Sequence, residues 1–262
     1  MKNKARVICI VLGILIIMYP IVSNTIYKIT QTTAITNYKA EIVNKDKEEI
    51  NEIKEEYKKH NKAILENSIS SVDLIEDGEV LGYIQIPKLK LELAIYEGTE
   101  DKYLQQGVGH MKNTSLPGEK DTHTVLAGHS GLSKAKIFDD IEKLKLGDIF
   151  EITILDNTYT YKIDQIKTVE KDNVTDLKVI KGKELVTLVT CTPKFINSHR
   201  LLVRGKRIQS ENEYEIVEET THTSIKKEVI FINIDSILIL IIIILLASAL
   251  LISKKDVILI KK

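Results

Sequence analysis

Apolar positions along the chain follow three patterns. In the first, every face is apolar. Val7–Val22 reads VICIVLGILIIMYPIV, Ile237–Ile252 reads ILILIIIILLASALLI, and neither holds a charged residue. Runs of this length cross a hydrocarbon core with help from their flanks, and Ile26 and Tyr27 extend the first. A basic start and an apolar run also describe a cleaved leader. Here no Ala-x-Ala pattern follows, and Tyr19 and Pro20 stand where a cleavage region would begin. The segment therefore reads as a retained anchor. The second run is followed at once by Lys254 and Lys255, and it reads as a second span rather than a buried core helix.

The second pattern is helical. From about Asn44 to Lys62, Ile50, Ile53, Tyr57 and Ile64 recur on one stripe of an otherwise charged segment. Glu55 and Lys59 have the spacing of an i,i+4 pair. The spacing predicts an amphipathic helix, serving as a stalk or packed on a domain.

The third pattern is alternation. Leu81–Ile86, Leu89–Ile95, Phe150–Leu155, Thr158–Val169, Leu185–Thr190 and Leu201–Ile208 read as strands, with a short apolar run at Val125–Ala127. Asp156-Asn157 marks a hairpin turn, and Lys134–Leu146 a short helical stretch. Many short strands with few helices predict a mainly β fold, a closed β-barrel with short helices. An N-terminal helix and two transmembrane helices would flank it. The organisation expected is a membrane anchor over residues 1–27, an amphipathic helix and connector over 28–79, and a barrel over 80–208. A polar linker over 209–234, a C-terminal transmembrane helix over 235–253 and a tail over 254–262 complete it.

Charge orients this arrangement. Lys2, Lys4 and Arg6 precede the first run, and Lys254, Lys255, Lys261 and Lys262 follow the second. Basic flanks stay in the cytoplasm, so both ends belong inside and the barrel outside. Lys226 and Lys227 pull weakly the other way. The chain holds 37 basic and 37 acidic residues, which gives no reason to expect nucleic acid as a partner.

Only two cysteines occur, Cys9 in the first apolar run and Cys191 in the outer part. A membrane boundary separates them, so Cys191 is a lone exported thiol, the mark of a reactive one. Without Cys-x-x-Cys spacing a zinc site has no support. Cys191 ends the strand ELVTLVT, and Arg200 opens the next, so a return loop would bring a cation near the thiol and favour its thiolate. Among the histidines, His60 lies on the charged helix and His222 in the linker. His199 would face away from Arg200, and His123 precedes a short strand. His129, in VLAGHSGL between glycines, and His110, in the loop-like GVGHMKNTSLPG, both remain candidates for the base.

The motifs in this stretch resemble those of the sortase family. TLVTC, Thr187 to Cys191, matches the Thr-Leu-x-Thr-Cys signature, and AGHSGL resembles the segment of the catalytic histidine. Arg200 matches the third position. GVGHMKNTSLPG, the Thr-Pro after the cysteine, NSHRLLVRGKR and the second span are similar to class C, the pilus-assembling sortases. The resemblance covers roughly Leu81 to Ile208. It implies a sortase-type barrel with His129, rather than His110, beside Cys191 and Arg200 as the catalytic trio.

It further implies a transpeptidase that cuts a Leu-Pro-x-Thr-Gly-like sorting signal through a thioacyl intermediate and joins the Thr carboxyl to an amine, a pilin lysine in class C. The partners would be secreted surface or pilin proteins bearing a C-terminal sorting signal, with the enzyme embedded in the cell membrane. No cofactor and no metal are expected, since the calcium-binding carboxylates of some class A members find no match. Alternatives are a sortase that anchors proteins to cell-wall peptidoglycan and a non-catalytic, membrane-tethered binding barrel. One departure stands out. The Asp-Pro-aromatic lid frequent in class C is absent, and the stretch around Asp73 is expected to act as a plain tether.

Overall fold

The computed structural model describes residues 2–66, 76–131 and 137–208. The second apolar run, the polar linker and Asp73 lie outside them. Two units are distinguished, with their boundary in the first helix between Thr25 and Ile26; the unit that begins at Ile26 contains the whole barrel.

The strands are β1 (Val80–Ile86), β2 (Leu91–Glu97), β3 (Val108–His110), β4 (Thr122–Ala127), β5 (Ile149–Ile154), β6 (Asn157–Glu170), β7 (Glu184–Thr192) and β8 (His199–Arg207). They close a barrel in the order β1-β2-β3-β4-β7-β8-β6-β5, sealed by β1 on β5. Neighbours are antiparallel except for β2–β3 and β4–β7. Alternation places Ile84, Ile86, Leu93, Ile95, Leu126, Ile152, Val186, Leu188 and Val203 in one buried cluster. Phe150 and Tyr161 stack within it, ring centres 5.5 Å apart. Gly205 makes room for them, because a Cβ there would meet the Phe150 ring at 2.6 Å.

Most strand expectations hold, with ends displaced by up to three residues. Three local readings are corrected. The stretch around His110 is not a loop, since Val108–His110 bridges β2 and β4. Over residues 137–146 the expected helix is a single 3-10 turn, Ile141–Lys143. Ile137, Phe138, Ile141 and Leu144 are all buried; a turn wrapped on the barrel mimics helical spacing. The β5–β6 turn falls on Leu155-Asp156, one residue early. Leu155 takes a left-handed φ of 54°, keeps its side chain in the core, and donates its N–H to the Tyr38 hydroxyl at 2.6 Å.

Helix α1 (Lys2–Asn44) runs unbroken past Tyr27. Its stretch from Ile8 to Asn44 is the one candidate span among the described residues, with mean hydropathy 2.2 over an 18-residue window, and Ile8, Leu12, Leu15 and Ile16 are exposed along it. Beyond Ile26, Gln31, Ile35, Tyr38 and Ile42 form a buried stripe. Gln31 accepts from the Ala94 N–H at 2.9 Å and donates to the Gln106 carbonyl. Tyr38 donates to the Leu81 carbonyl at 2.7 Å.

Helix α2 (Lys47–Leu65) begins at Asp46, whose carboxylate accepts the N–H groups of Glu48 and Glu49. Ile50, Ile53 and Tyr57 pack against the barrel. Asn61 is buried and bonds both the carbonyl and the N–H of Leu116. Glu55 pairs with Lys58 at 2.6 Å, not with Lys59 as the spacing suggested.

Candidate active site

Three adjacent chain segments meet at one end of the barrel. Parallel β4 and β7 pair in register up to Ala127 opposite Val189. The pairing continues past the end of β4. Gly128 N–H donates to the Val189 carbonyl at 3.0 Å, the Thr190 hydroxyl to the Gly128 carbonyl at 2.7 Å, and the Ser130 hydroxyl to the Cys191 carbonyl at 2.6 Å. His129 is thereby level with Cys191. On the other side, β8 runs antiparallel and sets Arg200 directly opposite Cys191. Cys191 is thus the middle position of three, with an imidazole-bearing residue on one side and a guanidinium-bearing one on the other.

Face follows from alternation. Val186 and Leu188 of β7 belong to the interior cluster, so Thr187, Val189 and Cys191 point outward. There Val125, Val169, Val189 and Leu202 form a second apolar layer with Met111 and Leu177 packed on it. Cys191 sits at the edge of this layer, partly exposed. An aliphatic layer on the outer face that ends at a thiol is chemically suited to an extended peptide.

The surrounding loops are tied down. Phe138 N–H closes onto the His129 carbonyl at 2.9 Å, and the Asp139 carboxylate accepts the Gly131 N–H at 2.6 Å. Lys194, between β7 and β8, pairs with Glu142 at 2.7 Å. Arg200 Nη1 donates to the carbonyls of Asn197 and His199 at 3.2 and 3.1 Å. Arg204, by contrast, is committed to Asp164 through two bonds, at 2.9 and 3.0 Å.

The structure separates the histidines. His110 is buried and bound to Glu97 at 2.7 Å, pinning β2 to β3. His123 is buried, bonded to the Lys178 carbonyl and the Thr187 hydroxyl, and burial holds its pKa below the ordinary 6.5. It is level with Leu185, far down β7 from Cys191. His60 reaches the Thr114 carbonyl, and His199 meets Ser198. His222 lies outside the described residues. Sequence reasoning passed over Ser130, and also over Asp101, whose carboxylate lies 3.0 Å from His129 Nε2. Asp101 is 28 residues away in sequence, and no spacing rule links the two.

Residues 84–208 match the family described as the sortase domain. The chain is 32% identical over 162 residues to Sortase A of Bacillus anthracis, covering 58% of this chain and 75% of that protein. The chain belongs to the sortase family. Sortases are cysteine transpeptidases, and the barrel described above is theirs. This sortase is also 33% identical over 136 residues to Sortase D of Bacillus subtilis, covering 51% of this chain and 66% of that one. Among solved structures it is similar to Clostridium perfringens sortase C with the C-terminal cell wall sorting motif, at 41% identity and TM-score 0.66, over 68% of this chain and all of that one. Sortase C1 of Streptococcus agalactiae is similar at 39% identity and TM-score 0.64, with the same coverage. The class C likeness of the motifs therefore extends to the fold.

Proposed function

We propose that Cys191, His129 and Arg200 are the catalytic residues of a membrane-anchored class C sortase that joins pilin subunits. The observation that supports this reading is that Cys191 lies opposite Arg200 on β8 and, through the bonds of Gly128 and Ser130 to β7, level with His129. A Leu-Pro-x-Thr-Gly-like signal would lie along the outer apolar layer with its Thr carbonyl at Cys191. The Cys191 thiolate adds to that carbon, and the oxyanion that develops is met by the Arg200 guanidinium. Among the described residues Arg200 bonds backbone carbonyls and no carboxylate, which leaves its guanidinium to meet that oxyanion.

As the C–N bond breaks, His129 in its imidazolium form gives a proton to the departing amine. A thioester remains on Cys191. The incoming amine loses a proton to His129, attacks the thioester, and releases the thiolate. No oxidant, metal or cofactor enters this cycle.

The likeness to sortase C1 of GBS Pilus Island 1, at 40% identity over 69% of this chain and 93% of that one, supports a pilin lysine as acceptor and pilus polymerisation as outcome. The Clostridium perfringens sortase with its sorting motif supports the donor. The reading places both termini inside and the barrel on the outer surface of a two-pass protein, on the basic flanks of the two apolar runs. Mass spectrometry of the product made from candidate pilins in membranes carrying the full chain tests the acceptor. An isopeptide bond from Thr to a pilin lysine is expected. Linkage to a peptidoglycan amine would instead make this an anchoring sortase.

A further inference from the structure

We infer that Asp101 is a positioning residue for His129, fixing which ring nitrogen exchanges protons with substrate; this rests on the catalytic role proposed for His129. Asp101 opens the short helix α3 (Asp101–Leu104) between β2 and β3. Its Oδ1 is 3.0 Å from His129 Nε2, and its Oδ2 accepts from Gln105 Nε2 at 2.5 Å. Both carboxylate oxygens are therefore committed. The helix itself is anchored. Tyr103 is buried in a cluster with Ile35, Ala94 and Tyr96, and the Glu97–His110 pair ties the end of β2, before α3, to the end of β3, after it.

A carboxylate on one imidazole nitrogen dictates the tautomer, as the partner of the proton that stays. With Nε2–H donated to Asp101, Nδ1 is the working nitrogen. The imidazolium passes its Nδ1 proton to the leaving amine and becomes the neutral Nε2–H form. Nδ1 then takes a proton from the incoming amine, and Asp101 remains a carboxylate throughout. The Asp101 side chain is 72% exposed and that of His129 24%, so the pair adds little to stability. Its effect is on orientation and tautomer, and it appears in turnover.

The test uses the full chain in detergent micelles, a fluorogenic Leu-Pro-Glu-Thr-Gly peptide as donor and triglycine as acceptor. Asp101→Ala and Asp101→Asn should lower kcat roughly tenfold, less than the loss for a buried triad aspartate because solvent screens this pair. KM should stay unchanged, and Asp101→Glu should recover most of the rate. Nitrogen-15 NMR of labelled histidine should show the Nε2–H form of His129 in the parent and a tautomer mixture in Asp101→Ala, a change that a merely structural contact would not cause. His129→Ala separates the two ideas. If it abolishes turnover while Asp101→Ala keeps kcat within twofold and the tautomer unchanged, the inference about Asp101 is overturned alone. If His129→Ala retains turnover, the catalytic role of His129 falls, and this inference with it.

Discussion

Cys191 and Arg200 face each other across one antiparallel rung, so each can be replaced without touching the core. Cys191→Ala should abolish turnover of a sorting peptide and leave the circular dichroism spectrum unchanged. Turnover surviving in that variant would sink the mechanism. Arg200→Lys should cost on the order of 3 kcal/mol of transition-state stabilisation, because lysine lacks the planar donor fork. A lysine variant with near-normal kcat/KM would make Arg200 merely structural. His123 predicts a pH effect on stability rather than on chemistry. Burial depresses its folded pKa below the ordinary 6.5. Between the two values the unfolded chain binds the proton and the folded one does not, so stability rises with pH there. The contribution is fully present above about pH 6.5 and erodes as pH falls below it. His123→Gln should flatten the fall of Tm on acidification; an unchanged slope would remove His123 as its source.

At the scale of elements, the clasps between helices and barrel are made by single polar side chains. Asn61 satisfies both backbone groups of Leu116, so Asn61→Ala should leave a buried donor and acceptor unpaired and lower unfolding stability by about 1–3 kcal/mol. Chemical denaturation measures this, and a loss below 0.5 kcal/mol would mean that water replaces the amide. Strands were legible in the sequence because alternation reports a half-buried ribbon directly, and Ile50, Ile53 and Tyr57 announced α2 in the same way. The barrel stripe of α1 was not. Its buried positions include Gln31 and Tyr38, whose polar atoms are spent on backbone groups, and the threonines between them dilute the period. β3 was missed because three residues with two parallel or antiparallel neighbours, Val108-Gly109-His110, carry no alternation of their own. The neighbours of Cys191 were half legible. A strand end and a return loop suggested Arg200, but choosing His129 over His110 required either a family resemblance or the β4–β7 register. Burial of His110 against Glu97 is a fact of tertiary packing.

At the scale of the whole molecule, the first prediction is topological. If the proposed orientation holds, the linker near Tyr214 is outside and protease added to intact protoplasts should cut there; protection would invert the orientation and forbid extracellular chemistry. The parallel pairing of β4 with β7 has a different consequence. Gly128 and Thr190 touch across 62 residues of sequence, and between them the chain must lay down β5 and β6, which lie elsewhere in the ring. Non-local pairing of this kind forms late, after its loop entropy has been met. Until the ring is sealed, the thiol has its hairpin partner Arg200 at most and no imidazole. On the proposed mechanism, an exported chain whose ring is still open is therefore inactive. Such a chain carries all three residues proposed for acyl transfer, yet it cannot capture a passing sorting signal or leave a thioester stranded on an unfinished enzyme. Barrel closure acts as the arming step, and peptide turnover during refolding should lag behind hairpin formation and rise only with the last strand.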